Sequence, residues 1–203
     1  MWLETLKQLK TALILLIVFT IITGIIYPAF VTGVAQFLFP WRANGSLIIQ
    51  NNKAVGSALI GQAFTDPKYF WGRPSATTPY PYNAQNSSGS NLGPSNPDLL
   101  TAVKARISIL NKADPQNLQL IPVDLVTASG SGLDPDISPY AAYYQIHRIA
   151  QARGLAELQI QKIIQSLIQY RTLGILGEPR VNVLQLNLAL DDLNKDTHGR
   201  ATP

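Results

Sequence analysis

The longest uninterrupted pattern in the chain is apolar. From Ala12 to Phe30 nearly every position is aliphatic or aromatic, as in Leu13, Leu16, Val18, Phe19, Ile22 and Ile25, and no charged residue stands between Lys10 and Arg42. The run meets the ~20 residues that a helix needs to cross a hydrocarbon core. It exceeds the ~7–15 residues of a signal-peptide core. The pattern predicts a short N-terminal segment over residues 1–10, a transmembrane helix over 11–33 and a folded domain over 34–203. Pro28 lacks an amide hydrogen, which predicts a kink near the far end of the helix. Phe37, Phe39 and Trp41 follow at the depth of an interfacial aromatic belt.

Beyond the anchor the periodicity changes. Leu47–Gln50 and Ala54–Gln62 read as two strands around Asn51-Asn52-Lys53, a hairpin signal. Residues 65–97 are rich in proline and glycine yet carry Tyr69, Phe70, Trp71, Tyr80 and Tyr82. A long irregular segment with that many rings is expected to fold over the surface, pinned by them, and to offer a partner surface. Asn96-Pro97 starts a helix to about Asn111, with Leu99, Leu100, Val103, Ile107 and Leu110 as its apolar side. Ser138-Pro139 starts another, to Arg153, stopped by Gly154, with Ala142, Ile146, Ile149 and Ala150 facing inward. Ile160, Ile163, Ile164, Leu167 and Ile168 form the stripe of a third. Val181–Leu190 reads as a strand on its aliphatic density. The expected fold class is α+β: one N-terminal transmembrane helix, then a small extracytoplasmic α+β domain.

Charge fixes the expected orientation. Lys7 and Lys10 flank one end of the apolar run, and the positive-inside rule keeps them in the cytoplasm, so the domain lies outside. Charged residues make up 14% of the 203 residues, below the ~25% of soluble domains. The net charge of +4 is dispersed, without the basic stripe and interleaved aromatics of a nucleic-acid binder. With no cysteine, disulfides and thiolate metal sites are excluded.

Candidate chemistry is sparse. His147 and His198 lie far apart, with no metal-ligand spacing. No phosphate-binding Gly-Lys-Ser/Thr loop and no Gly-x-Ser-x-Gly elbow occurs. Asp134 and Asp136 are close in sequence, at a turn where capping accounts for them. The one distinctive loop is Thr127-Ala128-Ser129-Gly130-Ser131-Gly132-Leu133-Asp134-Pro135. Successive amides in such a turn can cradle an anion. A tight turn that needs glycine for its backbone angles has the same composition. Gln145 falls near the edge of the buried face of the helix that follows, where its amide could reach a ligand or partner. A membrane-anchored extracytoplasmic enzyme and a free-standing binding module both remain compatible with these residues.

Five stretches, in order, carry a resemblance: Tyr69-Phe70-Trp71-Gly72-Arg73-Pro74-Ser75, Gly89–Pro97, Leu125–Pro135, Ala141-Ala142-Tyr143-Tyr144-Gln145 and Val181–Asp191. Together with the anchor they resemble the C subunit of the bacterial potassium-transporting ATPase, the Kdp system. One departure is Asp136, where many relatives carry His. The resemblance implies a non-catalytic accessory subunit of a high-affinity potassium uptake pump in the bacterial inner membrane. Its implied partners are a channel-like A subunit, a P-type ATPase B subunit and a small F subunit. The resemblance also implies a catalytic chaperone that raises the ATP affinity of the B subunit, with Ser129, Gly130, Ser131, Gly132, Leu133 and Gln145 as the ATP contacts. The charge-based topology puts that loop outside the cytoplasm, which implies instead a role at the outer ion entrance or in assembly.

Overall fold

The computed structural model describes residues 2–199, with side chains except those of Leu3 and residues 194–199; His198 and the tail side chains lie outside that set. The chain divides into two units, one through Leu47 and one from Ile48 onward.

The first unit is helical. Helix α1 (Trp2–Ile21) runs through one π-helical turn (Ile22–Ile26) into α2 (Tyr27–Leu38). Together, Glu4–Leu38 form a continuous 35-residue helix, charged only in its first turns, with none of its residues buried. At 1.5 Å per residue it is about 50 Å long, against ~30 Å of hydrocarbon, so regular helix extends past residues 11–33 at both ends. The distortion expected at Pro28 takes the form of a widened turn just before it. The Tyr27 N–H reaches back to the Ile22 carbonyl, so the ladder re-phases where Pro28 can neither donate to residue 24 nor tolerate a close carbonyl there. A short helix α3 (Pro40–Ala43) follows, and the Trp41 indole donates to the Leu47 carbonyl at 3.0 Å.

The second unit opens with the hairpin β1 (Leu47–Gln50) and β2 (Lys53–Ser57). Asn51 and Asn52 have φ of 50° and 59°, the left-handed pair of a type I′ turn that asparagine tolerates. The second strand ends at Ser57 rather than Gln62. No strand or helix then forms until α4 (Pro97–Ala113), whose first turn is capped by the Asn96 side chain accepting from the Asp98 N–H. On α4, Leu100 faces solvent while Leu110 is buried. Helix α5 is a single turn (Val123–Val126), and β3 (Asp136–Ile137) pairs antiparallel with β4 (Val181–Asn182), Ile137 opposite Val181.

Three differences from the sequence reading matter. The expected helix from Ser138 to Arg153 is two, α6 (Pro139–Tyr144) and α7 (Ile146–Arg153), broken at Gln145. Ser138 caps the first and Gly154, at φ 65°, ends the second. Helix α8 (Glu157–Leu167) buries Ile160 and Ile164 as the stripe requires. The expected strand Val181–Leu190 keeps only its first two residues; from Val183 to Gly199 the chain is helix α9. Val183, Leu186, Asn187 and Leu190 are buried, which is helical spacing, and the Asn182 carboxamide caps the start by accepting from the Gln185 N–H at 3.1 Å. Finally, the aromatic segment lies over the surface for most of its length, with Tyr80 exposed, but dips into the core at Phe70. Phe70 is fully buried in the core with Ile137, Ile149, Ile160, Ile164, Leu186 and Leu190.

Candidate functional site

An irregular segment that enters a core brings backbone amides and carbonyls with no strand beside them, and each must find a partner. Two buried carboxamides supply those partners. Asn187 on α9 accepts from the Phe70 N–H at 2.7 Å and donates to the Phe70 carbonyl at 3.0 Å. Gln145, at the α6–α7 break, accepts from the Trp71 N–H at 2.8 Å and donates to the Trp71 carbonyl at 3.1 Å. Each carboxamide imitates a neighbouring strand for one residue. Gln145 also donates to the Ala141 carbonyl and accepts from Arg148 at 2.7 Å. It is 1% exposed, and both of its polar atoms are in use.

Two arginines of α7 complete the clamp. Arg148 donates to the carbonyls of Pro67 and Tyr69 and lies 4.1 Å from the Trp71 ring centroid. Its burial pulls the guanidinium down to about 10, which leaves it charged at neutral pH. Arg153 donates to the Lys68 carbonyl, the Leu190 carbonyl and the Asp191 carboxylate, and Tyr69 donates to the other oxygen of that carboxylate at 3.0 Å.

The same segment continues into the glycine loop. Pro74 accepts from the Ser129 N–H, and the Ser75 hydroxyl donates to the Gly132 carbonyl at 2.7 Å. Arg73 bonds Asp134 and the Ala128 carbonyl. Within the loop, the Ser129 hydroxyl accepts from the Gly132 N–H and the Ser131 hydroxyl from the Leu133 N–H. Ser131 and Leu133 carbonyls accept from Ser88 and Gly61 N–H groups. Residues 69–75 thus bridge Gln145 to Ser129–Leu133, and most polar groups of that loop face the chain itself. Among the described residues no group of three His, Asp or Glu side chains converges as a metal site.

Comparison with known proteins bears on what this arrangement belongs to. Residues 9–192 match the family described as K+-transporting ATPase, c chain. A Herpetosiphon aurantiacus protein named potassium-transporting ATPase KdpC subunit is 61% identical over 91% of this chain and 95% of its own length. Proteins of that name from Methylococcus capsulatus and Sorangium cellulosum are 58% and 56% identical, each over 92% of this chain and 98% of their own. The chain belongs to the KdpC family.

In this KdpC-family chain, Gln145 is a framework residue of the clamp. The helical phase of α6 and α7 placed it near the buried edge, and the break at Gln145 itself turns it fully inward. Asn187 was missed because a strand places it with Gln185 on the face opposite the leucines; its signal is an amide at the helical spacing of the buried Val183 and Leu190. Gly132 is the loop residue with the least freedom. It sits at φ +68°, and a Cβ there would stand 2.5 Å from the Ser88 carbonyl oxygen and from Thr77 Cγ2, whereas one on Gly130 would meet nothing within 4 Å. Left-handed strain and the clash together make Gly132→Ala cost about 2–4 kcal/mol. Gly130→Ala is expected within about 0.5 kcal/mol of wild type. Chemical denaturation of the two variants of the full chain checks the contrast.

Proposed function

We propose that the protein is an accessory, non-catalytic subunit of an ATP-driven potassium uptake pump, and that it works by docking on the larger subunits rather than through a nucleotide site of its own. The anchor is placed in the bacterial plasma membrane with residues 1–10 in the cytoplasm. Residues 34–203 lie outside, at the ion-entrance side, in contact with the channel-like A subunit and near the B and F subunits. ATP in this reading is bound by the B subunit. Family membership supports the pump assignment. The observation that carries the docking role is the internal saturation of Gln145, which would have to give up bonds to Trp71, Ala141 and Arg148 before it could touch a nucleotide.

The orientation is testable because the chain has no cysteine of its own. Leu173, 85% exposed on the arm between α8 and β4, and Trp2, 83% exposed at the other end, each take a single cysteine. With a membrane-impermeant maleimide on intact spheroplasts, Leu173→Cys is expected to label at once and Trp2→Cys only after permeabilisation. The reverse pattern would overturn the topology and return the domain to the ATP-containing side.

A further inference from the structure

Arg73 lines two hollows of the domain. On one side lies a cleft whose charged lining is Asp124, Asp134, Asp136, Glu178 and Arg180, the last paired with Asp136. On the other lies a cavity of about 200 Å³ that no Asp or Glu lines. Its apolar walls come from Phe64, Trp71, Ile109, Leu110 and Leu125, and its cations are Arg73 and Arg106. The terminal nitrogens of Arg73 serve Asp134 and the Ala128 carbonyl, but its Nε is a buried donor with no partner. A buried donor left unpaired is costly, so its persistence asks for an acceptor. Arg106 forms no ion pair with any carboxylate among the described residues. Ser75 and Tyr82 add hydroxyls to the lining. Desolvation pushes the Tyr82 phenol up to about 12, so it stays neutral, and it donates to the Arg73 carbonyl at 2.6 Å.

The cavity is built to keep its volume. A Cβ on Gly72 would stand 2.6 Å from the Tyr82 hydroxyl, and one on Gly61 2.4 Å from its ring, so both glycines let Tyr82 sit where it forms a wall. An engineered apolar cavity of ~150 Å³ accepts benzene. The space here therefore holds one ring or branched alkyl group with a charged head. Apolar walls with a few convergent polar groups are the general form of a small-ligand site.

We propose that this cavity binds a small amphipathic anion: an aromatic or branched aliphatic carboxylate or phosphate monoester, with its body against Trp71 and Leu125 and its head between Arg73 and Arg106. The site is separate from the pump assignment and does not rest on it.

The test is calorimetric titration of the full chain in detergent with benzoate and phenyl phosphate, and with benzyl alcohol as the neutral comparison. At least one anion is expected to saturate with a Kd below about 1 mM, at least tenfold tighter than benzyl alcohol. Arg106→Gln is expected to weaken anion binding at least tenfold, and Arg106→Lys to retain it within about threefold. Ile109→Trp, at a half-exposed cavity position on α4, fills the space and is expected to abolish binding. Both positions face solvent enough for the variants to fold, which unchanged circular dichroism confirms. No saturation by either anion, equal binding of the alcohol, or undiminished anion binding by Arg106→Gln or Ile109→Trp would each overturn the proposal.

Discussion

Gln145→Leu is expected to destabilise the domain by about 4 kcal/mol or more, since it removes the partner of four buried or half-buried groups at a cost of about 1–3 kcal/mol each. Those groups are the Trp71 N–H, the Trp71 carbonyl, the Ala141 carbonyl and one donor of Arg148, which is itself only 5% exposed. A loss of that size rivals the whole stability of a small domain, about 5–15 kcal/mol. Gln145→Glu keeps the acceptor for Trp71 and Arg148 but turns a carboxylate oxygen toward the Trp71 and Ala141 carbonyls, so it is expected to be impaired less. Denaturant midpoints of the full chain read the effect. Pump complexes carrying Gln145→Leu are expected to be scarce, and those that assemble to show an unchanged KM for ATP. A fully stable variant with a raised KM would mean that Gln145 does contact nucleotide, and the docking reading would fail.

Removal of residues 11–30 is expected to abolish membrane association and potassium uptake altogether. The segment carries ten Leu, Ile and Val side chains and two Phe, each worth about 0.3–0.6 kcal/mol of insertion at the helix centre, or on the order of 5 kcal/mol in sum. Fractionation of the membrane and growth on limiting potassium measure the two losses. Normal uptake by the truncated chain would sink the claim that the pump holds this subunit through its span. An unrelated span of equal length distinguishes tethering from packing: rescue by it would limit the helix to an anchor.

Local chemistry made much of the fold legible. Asn96-Pro97 and Ser138-Pro139 start helices, Gly154 stops one, Asn51-Asn52 turns the hairpin and the isoleucine stripe faces inward on α8, because caps, turns and periodicity act within a few residues. Helix α9 was misread for a physical reason. Val181, Val183, Leu184, Leu186, Leu188 and Leu190 give the aliphatic density of a strand, and the same letters satisfy a helix. The deciding mark was Asn182 followed three residues later by Gln185, a helix-start pattern. The clamps were not legible, since they join residues far apart in the chain, and nothing local in Phe70 or Trp71 shows that their backbone will enter the core. The pairing of Tyr69 with Asp191 and Arg153 is hidden for the same reason.

The Asn187 clamp also sets a timetable. Phe70 is synthesised 117 residues before the side chain that receives its backbone. At about 5–20 residues per second, roughly ten seconds pass before its partner exists. Trp71 and Ser75 can pair with Gln145 and the glycine loop as those emerge, but until α9 follows, the Phe70 amide and carbonyl lack the carboxamide that receives them. The core around Phe70 therefore closes only once α9 has emerged, and the early segment is the part most in need of protection on the way.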